Sequence, residues 1–143
     1  MDYKIEVVTL SVTDVDQALE FYTERVGFSL DVDYHPTTSF RVVQLTPPGS
    51  ACSVQIGAGL TDVPPGSAHA TCLAVTDIEA ARRELTGCGV IVSAIRHKAP
   101  VEDWQGGWEP GPDPKRRDYA SFADFADPDG NTWTLQEIGH HTS

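Results

Sequence analysis

The chain is short of basic residues: ten Lys and Arg stand against 21 Asp and Glu, for a formal charge of −11 over 143 residues. Nucleic acids and anionic membranes demand clustered cations that neutralise phosphates, so neither is expected as a partner. One triplet, Lys115-Arg116-Arg117, departs from the trend. Three consecutive cations in a loop read as solvated surface, or else as a contact for an acidic substrate group or a partner subunit. Cysteine is also scarce. Cys52, Cys72 and Cys88 are odd in number and scattered, which provides neither a disulfide framework nor a zinc-type pair and suits a reducing, cytoplasmic compartment. No apolar run approaches the roughly 18 residues of a membrane span, and the opening Met-Asp-Tyr-Lys-Ile-Glu lacks the basic-then-apolar layout of a secretion signal.

What the chain does contain is a repeat. Val12-Thr-Asp-Val-Asp-Gln-Ala18 returns 63 residues later as Val75-Thr-Asp-Ile-Glu-Ala-Ala81. Each copy passes from an alternating apolar segment into Thr and Asp, residues that cap a helix, and then into apolar positions spaced for one buried helical face. These are Val15, Ala18, Leu19, Tyr22 and Val26 in the first copy, and Ile78, Ala81, Leu85 and Cys88 in the second, with Gly27 and Gly89 as helix stops. The reading is one βαβββ unit written twice, an α+β fold in a single domain. Its parts are a first module over 1–57, a linker over 58–68 and a second module over 69–143.

In the first module, strands are expected at about 4–12, 28–34, 40–45 and 52–56, with a helix at 15–26; in the second, at about 70–75, 90–96, 121–126 and 132–138, with a helix at 78–88. Between Arg96 and Tyr119 lies an insertion, loop 97–118, far longer than the usual connection of about 4–6 residues. It contains Trp104 and Trp108 among Pro and Gly, two rings costly to leave in water, and is read as a candidate lid or subunit contact, the rings closing over the cleft, a partner subunit or a ligand. Asp127-Pro-Asp-Gly-Asn131 is read as a tight hairpin turn rather than a calcium loop.

Leu10 to Phe28, its second copy, and Phe125-Ala-Asp-Pro-Asp-Gly-Asn-Thr-Trp-Thr-Leu135 together resemble the vicinal oxygen chelate superfamily, which contains glyoxalase I, bleomycin-resistance proteins, fosfomycin-resistance enzymes and extradiol dioxygenases. The resemblance implies paired βαβββ modules whose curved mixed sheets enclose a cleft, and a homodimer, as many relatives are. It also implies where a metal would be held in the family's enzymes. Those positions fall here on Val7, Ala70 and Thr134, with a fourth near Ser53 or Gln55. Aliphatic and hydroxyl side chains are poor ligands for a divalent ion, so no metal cofactor is expected. His69 is one residue from Ala70, and strand alternation turns such a neighbour to the opposite face.

Strand parity and the family pattern assign Val7, Thr9, Ser11, Gln55, Ala70, Cys72, Thr134 and Gln136 to the ligand-facing surface, with Trp104 and Trp108 above it. A mostly small and apolar lining suits a bulky organic ligand held by burial and a few hydrogen bonds. The expected function is therefore binding of a small aromatic or apolar organic molecule. The alternative is an enzyme of the glyoxalase or dioxygenase type, a lyase, isomerase or ring-cleaving dioxygenase: either metal-free, using His97, Arg96, Asp118 or Tyr119 with His97 as general acid or base, or with a metal held by unconventional ligands.

Overall fold

The computed structural model describes residues 1–99 and 106–141. It divides into two units: Met1–His69 with Asp127–Asn131, and Ala70–Ala126 with Thr132–Ser143. The linker 58–68 thus goes with the first unit, as does the turn that the sequence assigns to the second module.

In the first unit, β1 (Val7–Thr9) leads into α1 (Val15–Glu20), then β2 (Ser29–Thr37), β3 (Phe40–Thr46) and β4 (Ser53–Ala58), in the sheet order β1-β4-β3-β2. Asp14 caps α1 by accepting from the Gln17 N–H. The helix does not stop where apolar periodicity alone would carry it. Phe21–Arg25 widens into a π-helical turn, with the Val26 N–H bonded to the Phe21 carbonyl, and Gly27 at φ 89° then reverses the chain. Val43, Leu45, Val54 and Ile56 alternate along β3 and β4 onto the helix-packed face, where they join Leu10, Ala18 and Tyr22 in the core.

The second unit repeats the plan with an addition. β5 (Thr71–Val75) precedes α2 (Ile78–Gly87), capped by Asp77 on the Ala80 N–H exactly where the repeat puts it, and Gly89 at φ 86° follows. The sheet order is β5-β9-β8-β6-β7, with β8 at Ser121–Ala126 and β9 at Thr132–Glu137. The strand expected over 90–96 is only an isolated bridge at Val92; Val90 and Val92 are buried as apolar plugs while the regular ladder starts at Arg96. There β6 (Arg96–Ala99) pairs antiparallel with β7 (Gly107–Pro110). Much of the expected lid is therefore a β-hairpin, because the backbone groups of a long insertion need partners and the edge of β6 supplies them. Trp104 lies outside the described residues. No described helix is long and apolar enough to cross a membrane.

Candidate functional site

Parity sorts each sheet into a helix-packed face and an open one. On the second unit's open face the cross-strand pairs Cys72–Thr134 and Ala74–Gln136, Thr134–Asp124, Gln136–Phe122, Phe122–Arg96 and Lys98–Trp108 run in a continuous band across all five strands. Trp133, Leu135, Ala123 and Phe125 occupy the other face and are buried, Phe125 and Trp133 stacking at 6.3 Å.

The open face ends in an aromatic and cationic cluster. Trp108 and Phe122 meet edge to face at 5.2 Å between centroids. The Arg96 guanidinium lies 4.7 Å from the Trp108 centroid and 5.7 Å from that of Phe122, and the Lys98 ammonium 4.3 Å from Trp108. Arg96 donates to Asp124 at 2.7 Å, and Asp124 in turn accepts from the Thr134 hydroxyl at 2.9 Å. Further along, Cys72 Sγ lies 3.3 Å from Gln136 Oε1, and burial pushes the Cys72 thiol up from its ordinary pKa. The Gln136 amide donates to the Tyr119 carbonyl at 3.3 Å.

Four residues singled out from sequence thus meet on one face: Cys72, Thr134, Gln136 and Trp108. Phe122, Asp124 and Arg96 belong with them and were not among the assigned contacts, although the expected strands 121–126 and 132–138 form a hairpin whose register sets Asp124 opposite Thr134. Ala70 stands just before β5 at φ 59°, outside the ladder, so strand parity does not govern its direction.

His97 alternates with Arg96 and is buried on the helix-packed face, where Nδ1 pairs with the Gly111 carbonyl at 2.8 Å. Asp118 accepts from the Gly139 N–H at 2.8 Å, and Tyr119 sits at φ 65° with its ring half exposed. His97 and Asp118 each have their own partner. His97, Asp118 and Tyr119 are not hydrogen-bonded to one another in an orienting chain of the kind a general acid or base uses.

The first unit's open face carries Val7, Thr9 and Gln55, with the Gln55 amide donating to the Thr9 hydroxyl at 2.7 Å. Ser11 donates to the Val63 carbonyl at 2.7 Å, and with Thr9, Thr61, Val63, Ser67 and Ala68 it lines a cavity of about 130 Å³. That volume is below the roughly 300 Å³ at which ligand pockets begin, but Ser11 also borders a second cavity of about 350 Å³, lined by Gly57, Leu60, Val63 and Pro64 among others. A shallow groove of about 430 Å³ beside α1, lined by Asp16, Glu20, Glu24, Leu19 and Phe28 among others, includes none of the sequence-assigned residues.

Two polar networks attract notice as possible ion sites, and both are internally satisfied. Asp127 accepts from Asp129 N and Asn131 N through Oδ1, each at 2.9 Å, and from Tyr22 Oη and Asn131 Nδ2 through Oδ2, each at 2.8 Å. Those four donors explain a carboxylate-rich hairpin without calcium. In the second unit, Asp77, Glu137 and His140 bring ligand-type atoms within 4.8 Å of one another. The positive charge there belongs to Arg116, which grips Glu137 at 2.8 and 2.6 Å and reaches Glu79 at 2.8 Å and Asp77 at 3.4 Å. Burial alone would push Glu137 up; Arg116 and the Ile78 N–H outweigh it and hold the carboxyl below its ordinary pKa. Arg117 likewise clamps buried Asp113 at 2.8 and 2.9 Å and holds it well below the usual carboxylate range. Two cations of the Lys115-Arg116-Arg117 triplet are therefore internal clamps.

At the positions that the family resemblance implies for a metal, Val7 and Ala70 have no side-chain ligand atom, and Thr134 offers only a neutral hydroxyl, which donates to Asp124. This donor set does not fit a divalent ion.

A family model described as Glyoxalase/Bleomycin resistance protein/Dioxygenase superfamily matches residues 4–135. Among solved structures, TnmS3, an antibiotic binding protein from Streptomyces sp. CB03234, is 28% identical over 95% of this chain and 96% of its own, with a TM-score of 0.71. A glyoxalase/bleomycin resistance protein from the same Streptomyces is also 28% identical, over 93% of this chain and 99% of its own, at TM-score 0.68. A superfamily member from Sphaerobacter thermophilus DSM 20745 is 26% identical over 96% and 98%, at TM-score 0.69. No curated protein matches.

Proposed function

The chain belongs to the glyoxalase/bleomycin resistance protein/dioxygenase superfamily, and from that membership we propose that it binds a small aromatic organic molecule without the family's usual metal. One observation carries the reading: Trp108, 47% exposed, and Phe122 form an aromatic corner on an open sheet face beside Thr134, Gln136 and Cys72. Exposed rings next to a few fixed polar groups are the makings of a ligand surface. The antibiotic-binding description of TnmS3 supports an antibiotic-like ligand. The first sheet's open face, with Val7, Thr9 and Gln55, is assigned the same role. As a sequestering protein of this kind it acts in the cytoplasm as a homodimer, in keeping with cysteines that are all unpaired.

The test is a titration of the full chain with a panel of aromatic antibiotics, followed by tryptophan fluorescence, with elemental analysis of the same untagged sample. Saturable quenching that disappears in Trp108→Ala is expected, and no stoichiometric metal. Absence of saturable binding across the panel, or binding unchanged in Trp108→Ala, sinks the assignment to this face; about one metal per chain sinks its metal independence.

A further inference from the structure

We propose that the groove beside α1 is a further ligand site, one that takes an organic ammonium ion carrying an apolar body. It lies apart from the open sheet faces and does not rest on the reading given to them.

The groove is built by the first unit alone. Leu19 of α1, Phe28 after the π-helical turn and Leu30 at the start of β2 give it an apolar lining. Its volume of about 430 Å³ falls inside the range of roughly 300–1,000 Å³ typical of small-molecule sites. Leu30 is 49% exposed, so hydrocarbon laid against it removes apolar surface from water. Thr23 donates its hydroxyl to the Leu19 carbonyl at 2.7 Å. The polar groups left to meet a ligand are carboxylates.

Three of them, Asp16, Glu20 and Glu24, recur at every fourth residue along the groove. Arg41 holds Asp16 at 2.7 Å and offsets its charge. Among the described residues no ion pair engages Glu20 or Glu24. Arg25, next in sequence, has contacts of its own and does not line the groove. Residues 100–105 and 142–143 contain no Lys, Arg or His, so no further side-chain cation of the chain is left to offset the pair. Like charges four residues apart on a helix repel. Glu20 and Glu24 also lie toward the C-terminal end of the helical run 15–25, where the helix dipole adds to the negative potential. A cation relieves both effects.

The two halves of the groove together select the class of cation. A hard metal ion needs oxygens that converge on one point. Among the described residues only Asp77, Glu137 and His140 bring three ligand-type atoms within 4.8 Å of one another, and a hydrated ion gains nothing from Leu19 or Leu30. An anion is repelled, and a neutral hydrocarbon leaves the carboxylates unanswered. An ammonium group beside Glu20 and Glu24, with its hydrocarbon over Leu19, Phe28 and Leu30, uses both. Thr23 and Glu24 reach the groove from the π-helical turn, a rare conformation found frequently at functional sites.

The experiment titrates the full isotope-labelled chain at pH 7 with octylammonium, 1-octanol and methylammonium, followed by amide NMR. Octylammonium should saturate, shift the amides of residues 16–30 most, and bind about tenfold tighter than 1-octanol, the order expected of two surface ion pairs. That margin should narrow as salt rises from 50 to 500 mM. Methylammonium, which has the charge without the body, should give no saturable shift. In the double variant Glu20→Gln, Glu24→Gln octylammonium and 1-octanol should converge, and Leu30→Ser should weaken both. Octanol binding as tightly as octylammonium overturns the charge assignment. Methylammonium binding as tightly as octylammonium reduces the groove to an acidic surface and overturns the site. Octylammonium that fails to saturate, shifts residues elsewhere, or keeps its preference in the double variant also overturns the proposal. The three-probe comparison needs no variant, so it decides even where a variant does not fold.

Discussion

Each unit contains a forked arginine–carboxylate pair of nearly the same geometry. Arg41 grips Asp33 through Nε at 3.0 Å and Nη2 at 2.8 Å; Arg116 grips Glu137 through Nε at 2.8 Å and Nη2 at 2.6 Å. The arginines are equally sheltered, at 12% and 16% side-chain exposure, but Asp33 keeps 32% of its surface in water while Glu137 keeps none. That one difference sets their energetics apart. A charge that has left water depends entirely on its partner, whereas a wet one falls back on solvent. Glu137 also caps α2 through the Ile78 N–H at 2.9 Å, so its fork joins sheet, helix and loop. Asp33 ties β2 to β3 and, through Arg41, to Asp16 of α1, at the surface.

The largest effect is expected from breaking the buried fork. Arg116→Met should destabilise the protein by about 3–5 kcal/mol, the usual cost of leaving one member of a buried pair uncompensated. Chemical denaturation at pH 7 measures it, and adding Glu137→Gln should recover part of the loss by removing the stranded charge. A single-variant cost below about 1 kcal/mol would show that water reaches Glu137, and the contrast between the forks would collapse.

Asp113 comes next and adds a pH signature. Its carboxyl is buried and accepts from the Arg117 guanidinium and backbone N–H and so stays ionised far into acid. Because its folded pKa lies below the unfolded value of about 3.9, the stabilisation is complete above that pH and is lost as pH falls through the folded value. Asp113→Asn should therefore cost about 1.5–3 kcal/mol at pH 7, in line with a charge-assisted bond, and the two proteins should converge in strong acid. A gap independent of pH down to 2 would mean packing, not charge, is being measured. In the first unit the corresponding buried carboxylate, Asp127, is held by uncharged donors, so Tyr22→Phe should cost only about 1 kcal/mol, with Asn131 still in place.

The features legible in the sequence are the local and periodic ones. Capping by Asp14 and Asp77, reversal at Gly27 and Gly89, and the alternation that sends Trp133 inward and Thr134 outward depend on a few neighbouring residues, and a repeat states them twice. What escaped depends on distant partners. Nothing near Arg116 announces Glu137, 21 positions away, or Glu79, 37 positions back, so a triplet of cations reads as surface until the fold closes on it. The β6–β7 hairpin escaped for a similar reason: Lys98 and Trp108 become neighbours only through cross-strand register. Half of the aromatic corner was within reach, since parity along the expected strand over 121–126 already sets Phe122 and Asp124 on the face of Thr134. Arg96 reads from sequence as the end of a strand and as a candidate catalytic group, and its position over two rings follows from a ladder that begins there.

The smallest effect is expected at the exposed fork, and it is the one that separates geometry from environment. Asp33→Asn removes the charge from a well-formed bidentate pair, and Arg41 pulls the Asp33 carboxyl below its ordinary pKa, so a reading from geometry alone would forecast a cost like that of the buried pair. Two facts reduce it. Asp33 retains water on nearly a third of its side chain, and Arg41 keeps Asp16 at 2.7 Å as a second counter-charge. Surface pairs of this kind contribute about 0.2–1 kcal/mol, so Asp33→Asn should cost no more than that in low salt. Raising ionic strength to 1 M, where screening acts over about 3 Å, should erase most of the difference between wild type and variant, while leaving the Arg116→Met deficit nearly intact. Denaturation curves for both variants at the two salt concentrations give the result. A salt-resistant loss of 2 kcal/mol or more at Asp33, well above the range for exposed pairs, would mean that the fork's shape and not its wetting governs its strength.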